Sequence, residues 1–336
     1  MKPIKPNPVA ARIIAAALLT IFSVIARADV EDKITKSFKA EPGTQLIVDV
    51  DRGSIEIKTG ERDAVDIEVT RKAGGSRSKA EQTLKDHLVT TTQEGDKVKV
   101  RAEYKGAKSS GWFGRSPELQ VNYVIVIPRR FDVDLRTAGG HLKITDLIGK
   151  LKANTSGGNL TFEKIEGPVS GNTSGGHVTL AGCKGAVDLK TSGGNLNLSD
   201  IEGDVIARTS GGHITAEKLT GKSVVKTSGG NIQVGGINGS LDASTSGGHI
   251  TASFVTQPSD DCAFDTSGGN ITIALTEKIA VDINLRTDGG RVTTDFPVAA
   301  VIQGEQKQNE LRGKVNGGGP LIKGHTSGGH VRLQKK

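Results

Sequence analysis

The residue after the recurrent turn glycine pair runs His141, Asn159, His177, Asn195, His213, Asn231, His249 and Asn270, and then Arg291. Histidine at every second place invites a metal reading. If successive units stack as strands about 4.8 Å apart, however, alternate histidines stand about 9.6 Å apart. Two zinc ligands must converge on one ion at about 2.0–2.1 Å each. The ladder therefore reads as a surface turn that records duplication of a pair of units, and no metal is expected. Alternation also keeps imidazolium from stacking on imidazolium. A calcium roll would place Asp in its glycine-rich turns, and here only Asp288 holds such a place.

Other groups carry weaker chemistry. Lys190, Arg208 and Lys226 precede the repeated Thr in three consecutive units and are expected to stack outward. Such a cationic column could meet a polyanion such as an acidic polysaccharide or lipid headgroups. It could equally be a solvated face that blunts aggregation. Beside it a polar column, Thr161, Thr179, Asn197, Thr215, Gln233, Thr251, Thr272 and Thr293, could bind glycans or ice, or pair with itself. Trp112 and Phe113, between Gly111 and Gly114, form either a recognition tip or an anchor for their loop. Glu163 and Glu166 are near neighbours, but adjacent units do not repeat them, which argues against the clustered acids of a carbohydrate-cleaving enzyme. Cys183 and Cys262 fall at inward positions about four units apart, too far for the roughly 7 Å Cα limit of a disulfide. Two buried free thiols are expected. No catalytic, cofactor-binding or metal-ligating residue is assigned.

These groups must be held by a repeating scaffold. Thr-Ser-Gly-Gly, or Thr-Ala-Gly-Gly at the first copy, begins at Thr137, Thr155, Thr173, Thr191, Thr209, Thr227 and Thr245, always 18 residues apart. Two 21-residue steps reach Thr266 and Thr287, an irregular segment follows, and a last copy begins at Thr326. Within a unit, apolar residues alternate with polar ones, as in Leu160, Phe162, Ile165 and Val169 or Leu196, Leu198, Ile201 and Val205. Period two means strand. Each unit then has two turns. The Ser-Gly-Gly turn is expected to use positive φ at its glycines, and the second turn holds one glycine, at Gly149, Gly167, Gly185, Gly203, Gly221 and Gly239. A unit this short cannot bury its apolar face alone and must stack on its neighbours. The expected fold is all-β, a parallel β-solenoid with 18-residue coils over 131–336, a column of buried Thr needing partners for its hydroxyls. Antiparallel hairpins forming a sandwich are the alternative.

Residues 29–130 differ. Alternating runs predict strands over Gln45–Val50, Ser54–Lys58, Ala64–Val69, Lys97–Tyr104 and Leu119–Pro128, one short helix over Ser78–Leu88, and a loop over Lys105–Pro117. This is a small β-rich cap closing the solenoid, with Asp51-Arg52-Gly53-Ser54 an early turn of similar kind. Residues 1–28 read as a signal peptide: cations at Lys2 and Arg12, an apolar run from Ile13 to Ile25, and cleavage after Ala28. Removing it lowers the net charge from +7 to about +3, which argues against nucleic acid as a partner. No later segment is expected to span a membrane.

Composition agrees. There are 45 glycines in 336 residues and only eleven aromatics, so bulk has been traded for turns. Ten prolines without a Gly-X-Y period exclude collagen, and two cysteines exclude a disulfide scaffold.

The run from Gln45 to Ile57, the strand Tyr123–Pro128 and the recurrent Thr-Ser-Gly-Gly-Asn/His together resemble the bacterial DUF4097 family of β-strand-repeat proteins, often labelled "putative adhesin". The resemblance spans roughly 40–336 and implies an exported β-helical protein, with no catalytic residues to carry over. The functional expectation is a secreted, non-enzymatic binding or scaffold protein at the cell envelope, placed in the periplasm, on the surface or outside. Its expected partner is an envelope polysaccharide or other surface polyanion. An envelope-stress or surface-sensing protein that binds anionic lipid or peptide is the alternative, and a polysaccharide-active enzyme the more distant one.

Overall fold

The computed structural model describes residues 29–40, 43–106, 118–300 and 308–336. The expected signal peptide, Trp112 and Phe113 lie outside the described residues. The chain is all-β with one short helix, and its strands form a solenoid-like sheet.

Alternation sets the packing. Strand Leu151–Thr155 runs parallel to both Asp132–Thr137 and Val169–Asn172, with Leu151 facing Val133 on one side and Val169 on the other. Strand pairing likewise carries Leu160 to Val178, Leu196, Ile214, Ile232 and Ile250. All of these are buried, and one apolar cluster runs without a break from Leu46 to Leu333. Identical positions stack on identical positions, so any side chain that suits the interior once suits it in every rung.

The corners are built differently from the sequence expectation. The glycines of the Ser-Gly-Gly turns do not have positive φ. The second of each pair is required because the previous rung approaches too closely for a side chain: a Cβ on Gly194 would sit 1.9 Å from the Gly176 carbonyl oxygen. The first of each pair faces open space or ordinary contact, 3.8 Å at Gly193, except Gly289, where a Cβ would sit 3.0 Å from the Ser327 carbonyl oxygen. Positive φ belongs to the single-glycine corner, where Gly149, Gly167, Gly185, Gly203, Gly221 and Gly239 span 118° to 154°. A further left-handed column, not foreseen from the sequence, runs through Asp146, Lys164, Gly182, Asp200, Lys218 and Gly236. Four of its members are not glycine, which is why composition hid it.

The buried Thr column finds its partners in the turns. Thr209 Oγ1 donates to the Gly194 carbonyl of the preceding rung at 2.9 Å and accepts the Gly212 N–H of its own turn at 3.3 Å. The pattern recurs at Thr155, Thr173, Thr191, Thr227 and Thr245. Thr137 Oγ1 donates to the Gly53 carbonyl, so the early turn at Asp51–Ser54 is the first rung of the same ladder.

Both ends are closed by antiparallel strands. At the N-terminal end Gln45–Val50 and Ser54–Gly60 stack under Asp132–Thr137 and Leu142–Ile148. Beyond them, Leu119–Pro128, Ala64–Ala73 and Val30–Lys39 extend one wall, and Lys97–Tyr104 and His87–Glu94 the other. The helix is Arg77–Asp86, packing Ala80 and Leu84 on Ala73. His87 and Leu88, expected to be helical, instead open a strand whose Val89-Thr-Thr-Thr92 run is β-branched and stiff at χ1. Strand Val30–Lys39 was not expected either; its lysines blunt an edge and weaken the alternation.

At the other end chain order and rung order part. Strands Leu321–Thr326 and Val331–Lys335 insert between the rung at Cys262–Leu275 and the one at Val281–Thr294. Thr326 Oγ1 accordingly bonds the Gly269 carbonyl and Thr287 Oγ1 the Gly329 carbonyl. Strand Glu310–Val315 then covers Val281–Thr287 antiparallel and carries Val298–Ala300 on its far side. An open parallel edge would template pairing with another chain, and the antiparallel strand covers it on the Val281–Thr287 wall.

Candidate functional site

The cationic column forms as expected. Lys190 faces Arg208, and Arg208 faces Lys226, in direct register, with Asn172 before them and Ser244 after. Lys190 Nζ lies 3.2 Å from the Asp188 carboxylate. Arg208 and Lys226 have no ion-pair partner among the described residues; the matching neighbours two positions earlier are Ile206 and Val224, half-buried. Further along the row come Asp265, then His325, then Arg286. His325 lies 3.3 Å from carboxylate oxygens of both Asp265 and Asp288. Sequence reasoning missed this triad, because chain order does not reveal the inserted rung.

On the other side of the Gly-Gly corner the polar column is in register from Thr161 to Thr272. Its expected last step fails: Arg332 stands between Thr272 and Thr293. The same insertion places His330 between Asn270 and Arg291.

The His/Asn ladder does structural work. His177 N–H donates to Asn159 Oδ1 at 2.8 Å, and Asn195 N–H donates to His177 Nδ1 at 2.9 Å. The bond repeats from Asn159 N–H on His141 through to Arg291 N–H on His330. Asn Oδ1 and His Nδ1 can both accept from the next rung, so either residue serves. Among the described residues no group of three or more His, Cys, Asp or Glu is arranged to hold a metal ion.

Glu163 and Glu166 are exposed on one strand, with Ala181 and Lys184 opposite them, and Arg129 lies 3.6 Å from Glu166. Cys183 and Cys262 are free and buried, and burial pushes each thiol up to about 11.

The cap holds a polar cluster that no motif announced. Arg71, 8% exposed, grips Asp32 and also donates to the Leu84 and His87 carbonyls. Beside it His87 is fully enclosed, its Nε2 3.6 Å from Asp51 Oδ1. Burial holds the imidazole below its ordinary value, with Asp51 opposing and Arg71 reinforcing. Burial also raises the Tyr123 phenol. Neither His87 nitrogen nor the Tyr123 hydroxyl has a hydrogen-bond partner among the described residues. The signal available in sequence was a lone His beside Leu88 and Val89 and a lone Tyr at an inward place of an alternating strand, and both usually mean core.

Among the described residues no helix is long and apolar enough to cross a membrane. No curated protein matches the chain. Solved structures do. A "putative lipid binding protein" of Parabacteroides distasonis is 13% identical, with 91% of this chain and 97% of that one covered and a TM-score of 0.37. A "putative adhesin" of the same organism is 12% identical, with 91% and 97% covered and a TM-score of 0.38. A "putative adhesin" of Bacteroides fragilis is 11% identical, with 91% and 97% covered and a TM-score of 0.34. The Toastrack DUF4097 family model matches residues 44–334, and the chain belongs to that family.

Proposed function

We propose that this is an exported, non-enzymatic binding or scaffold protein of the cell envelope, wound as a parallel β-solenoid with 18-residue coils, that holds a polyanion on Lys190, Arg208 and Lys226. The strand registers support the winding, and the apolar run before Ala28 supports export. One observation carries the binding reading: three cations stack in direct register, and two of them have no ion-pair partner among the described residues. Like charges directly opposite on neighbouring strands destabilise a sheet. Some other outward cations are paired, as Lys143 is with Glu56 and Lys218 with Asp200, while Lys152 and Lys222, which do not stand in a like-charge column, have no ion-pair partner among the described residues. A repulsive column kept in the middle of a regular scaffold is accounted for by an anionic partner.

The test compares wild type with the K190S/R208S/K226S variant on purified envelope polysaccharide and on anionic liposomes. Binding to the polysaccharide that weakens with salt and is lost in the variant supports the reading. Retention by the variant sinks it, and retention on liposomes alone favours the membrane-sensing alternative. Turnover of a polysaccharide panel, abolished by Glu163→Gln with Glu166→Gln, would establish the enzyme instead.

A further inference from the structure

The hydrogen bonds of the corner ladder fix the chemistry it shows to solvent. A neutral imidazole that accepts at Nδ1 carries its proton on Nε2. An Asn that accepts at Oδ1 has its NH2 group left over. Every rung from His141 through Asn270 to His330 therefore has an N–H donor left over on its corner side chain. With rungs about 4.8 Å apart, this is a straight line of N–H donors along one edge of the solenoid.

The line ends in a groove of about 290 Å³ lined by Asn270, Ile271, Thr272, Arg291, Thr293, His330 and Arg332, of which Ile271 is buried. The inserted final rung creates it, by bringing Arg332 between two threonines and His330 beside Arg291. Arg332 has one carboxylate nearby, Asp295 at 3.6 Å. Arg291 has no ion-pair partner among the described residues.

We propose that this groove seats a carboxylate of an acidic polysaccharide, and that acceptor oxygens of the same polymer run along the donor line. A planar guanidinium fork matches a carboxylate in two parallel hydrogen bonds. Hydroxyl, amide and imidazole donors, which carry no charge, match the uncharged oxygens of sugars. A membrane surface would instead call for clustered Lys and Arg bordering apolar side chains. Single-stranded nucleic acid would call for stacking aromatics, and this groove has none. The site lies across the Gly-Gly corner from Lys190, Arg208 and Lys226, so it stands or falls separately from that column.

The probe is an oligogalacturonate, titrated into the full chain by calorimetry, with cello-oligosaccharide and inorganic phosphate as comparison ligands. Oligogalacturonate binds and cello-oligosaccharide does not. In R291S/R332S its affinity falls about tenfold or more, the loss of one well-made charge-assisted contact, while K190S/R208S/K226S changes it less than threefold. Asn231→Asp keeps the inward acceptor and removes the outward donor, and weakens binding; His213→Asn keeps both and leaves it unchanged. Failure of oligogalacturonate to bind overturns the proposal, as does phosphate binding alone. Loss confined to the Lys190 column variant overturns the groove while leaving the column's role intact. Should R291S/R332S not fold, R291K/R332K and N231D decide: unchanged affinity in both refutes the site.

Discussion

Replacing Thr209 by Val keeps the shape of the side chain and removes its hydroxyl. The consequences follow from two bonds. The Gly194 carbonyl receives its hydrogen bond from Thr209 Oγ1, and the Gly212 N–H gives its own to the same oxygen. Both glycines are buried. T209V therefore strands one acceptor and one donor, each worth about 1–3 kcal/mol when left unpaired in a buried place. A loss of about 2–6 kcal/mol is expected. Thr209→Ser keeps the hydroxyl and gives up one buried methyl, worth about 0.8 kcal/mol. The assay is urea unfolding of wild type and both variants, read as a shift in midpoint at constant slope. The order must be wild type, then Ser, then Val well below. A Val midpoint equal to that of wild type, with Ser below both, would show that the methyl alone matters and that the hydroxyl ladder contributes nothing.

The two glycines of a turn should behave oppositely. G194A forces a Cβ to within 1.9 Å of a backbone oxygen and is expected to cost more than about 3 kcal/mol, whereas G193A meets nothing closer than 3.8 Å and should stay within about 0.5 kcal/mol in the same denaturation assay. His87 supplies a pH dependence. Its folded-state value is depressed by burial, so below about 6.5 the unfolded chain takes up the proton first, and stability falls with falling pH. H87Q should flatten the slope of unfolding free energy between pH 7 and 5; an unchanged slope would mean that His87 is not the group responsible. Both cysteines, held at about 11, should resist iodoacetamide at pH 8 in the native protein and react fully in denaturant, and rapid native labelling of either would contradict the buried register.

Much of the strand pairing was legible because repetition amplifies local rules. Leu160, Val178, Leu196 and Ile214 each say only "inward strand residue", but said at a fixed interval they also give the register. The Lys190, Arg208 and Lys226 column followed from the same arithmetic. The ends were less readable. Polar edge strands such as Val30–Lys39 bury one side only partly, and their side chains are chosen against pairing, so the period is faint.

The sequence by itself determined the repeat, the inward columns, the need for Thr partners and the family likeness, since each rests on residue type and spacing. Tertiary structure alone decided why the second glycine of each turn is glycine: the reason is a carbonyl of another rung, which no window of one chain contains. It also decided the order of the last rungs. Thr326 lies next to Thr266 and not beyond Thr287, because closing the end of the sheet favours a returning strand over an exposed edge. That insertion places Arg332 between Thr272 and Thr293 and His330 beside Arg291, so the groove proposed as a binding site exists only in the folded chain.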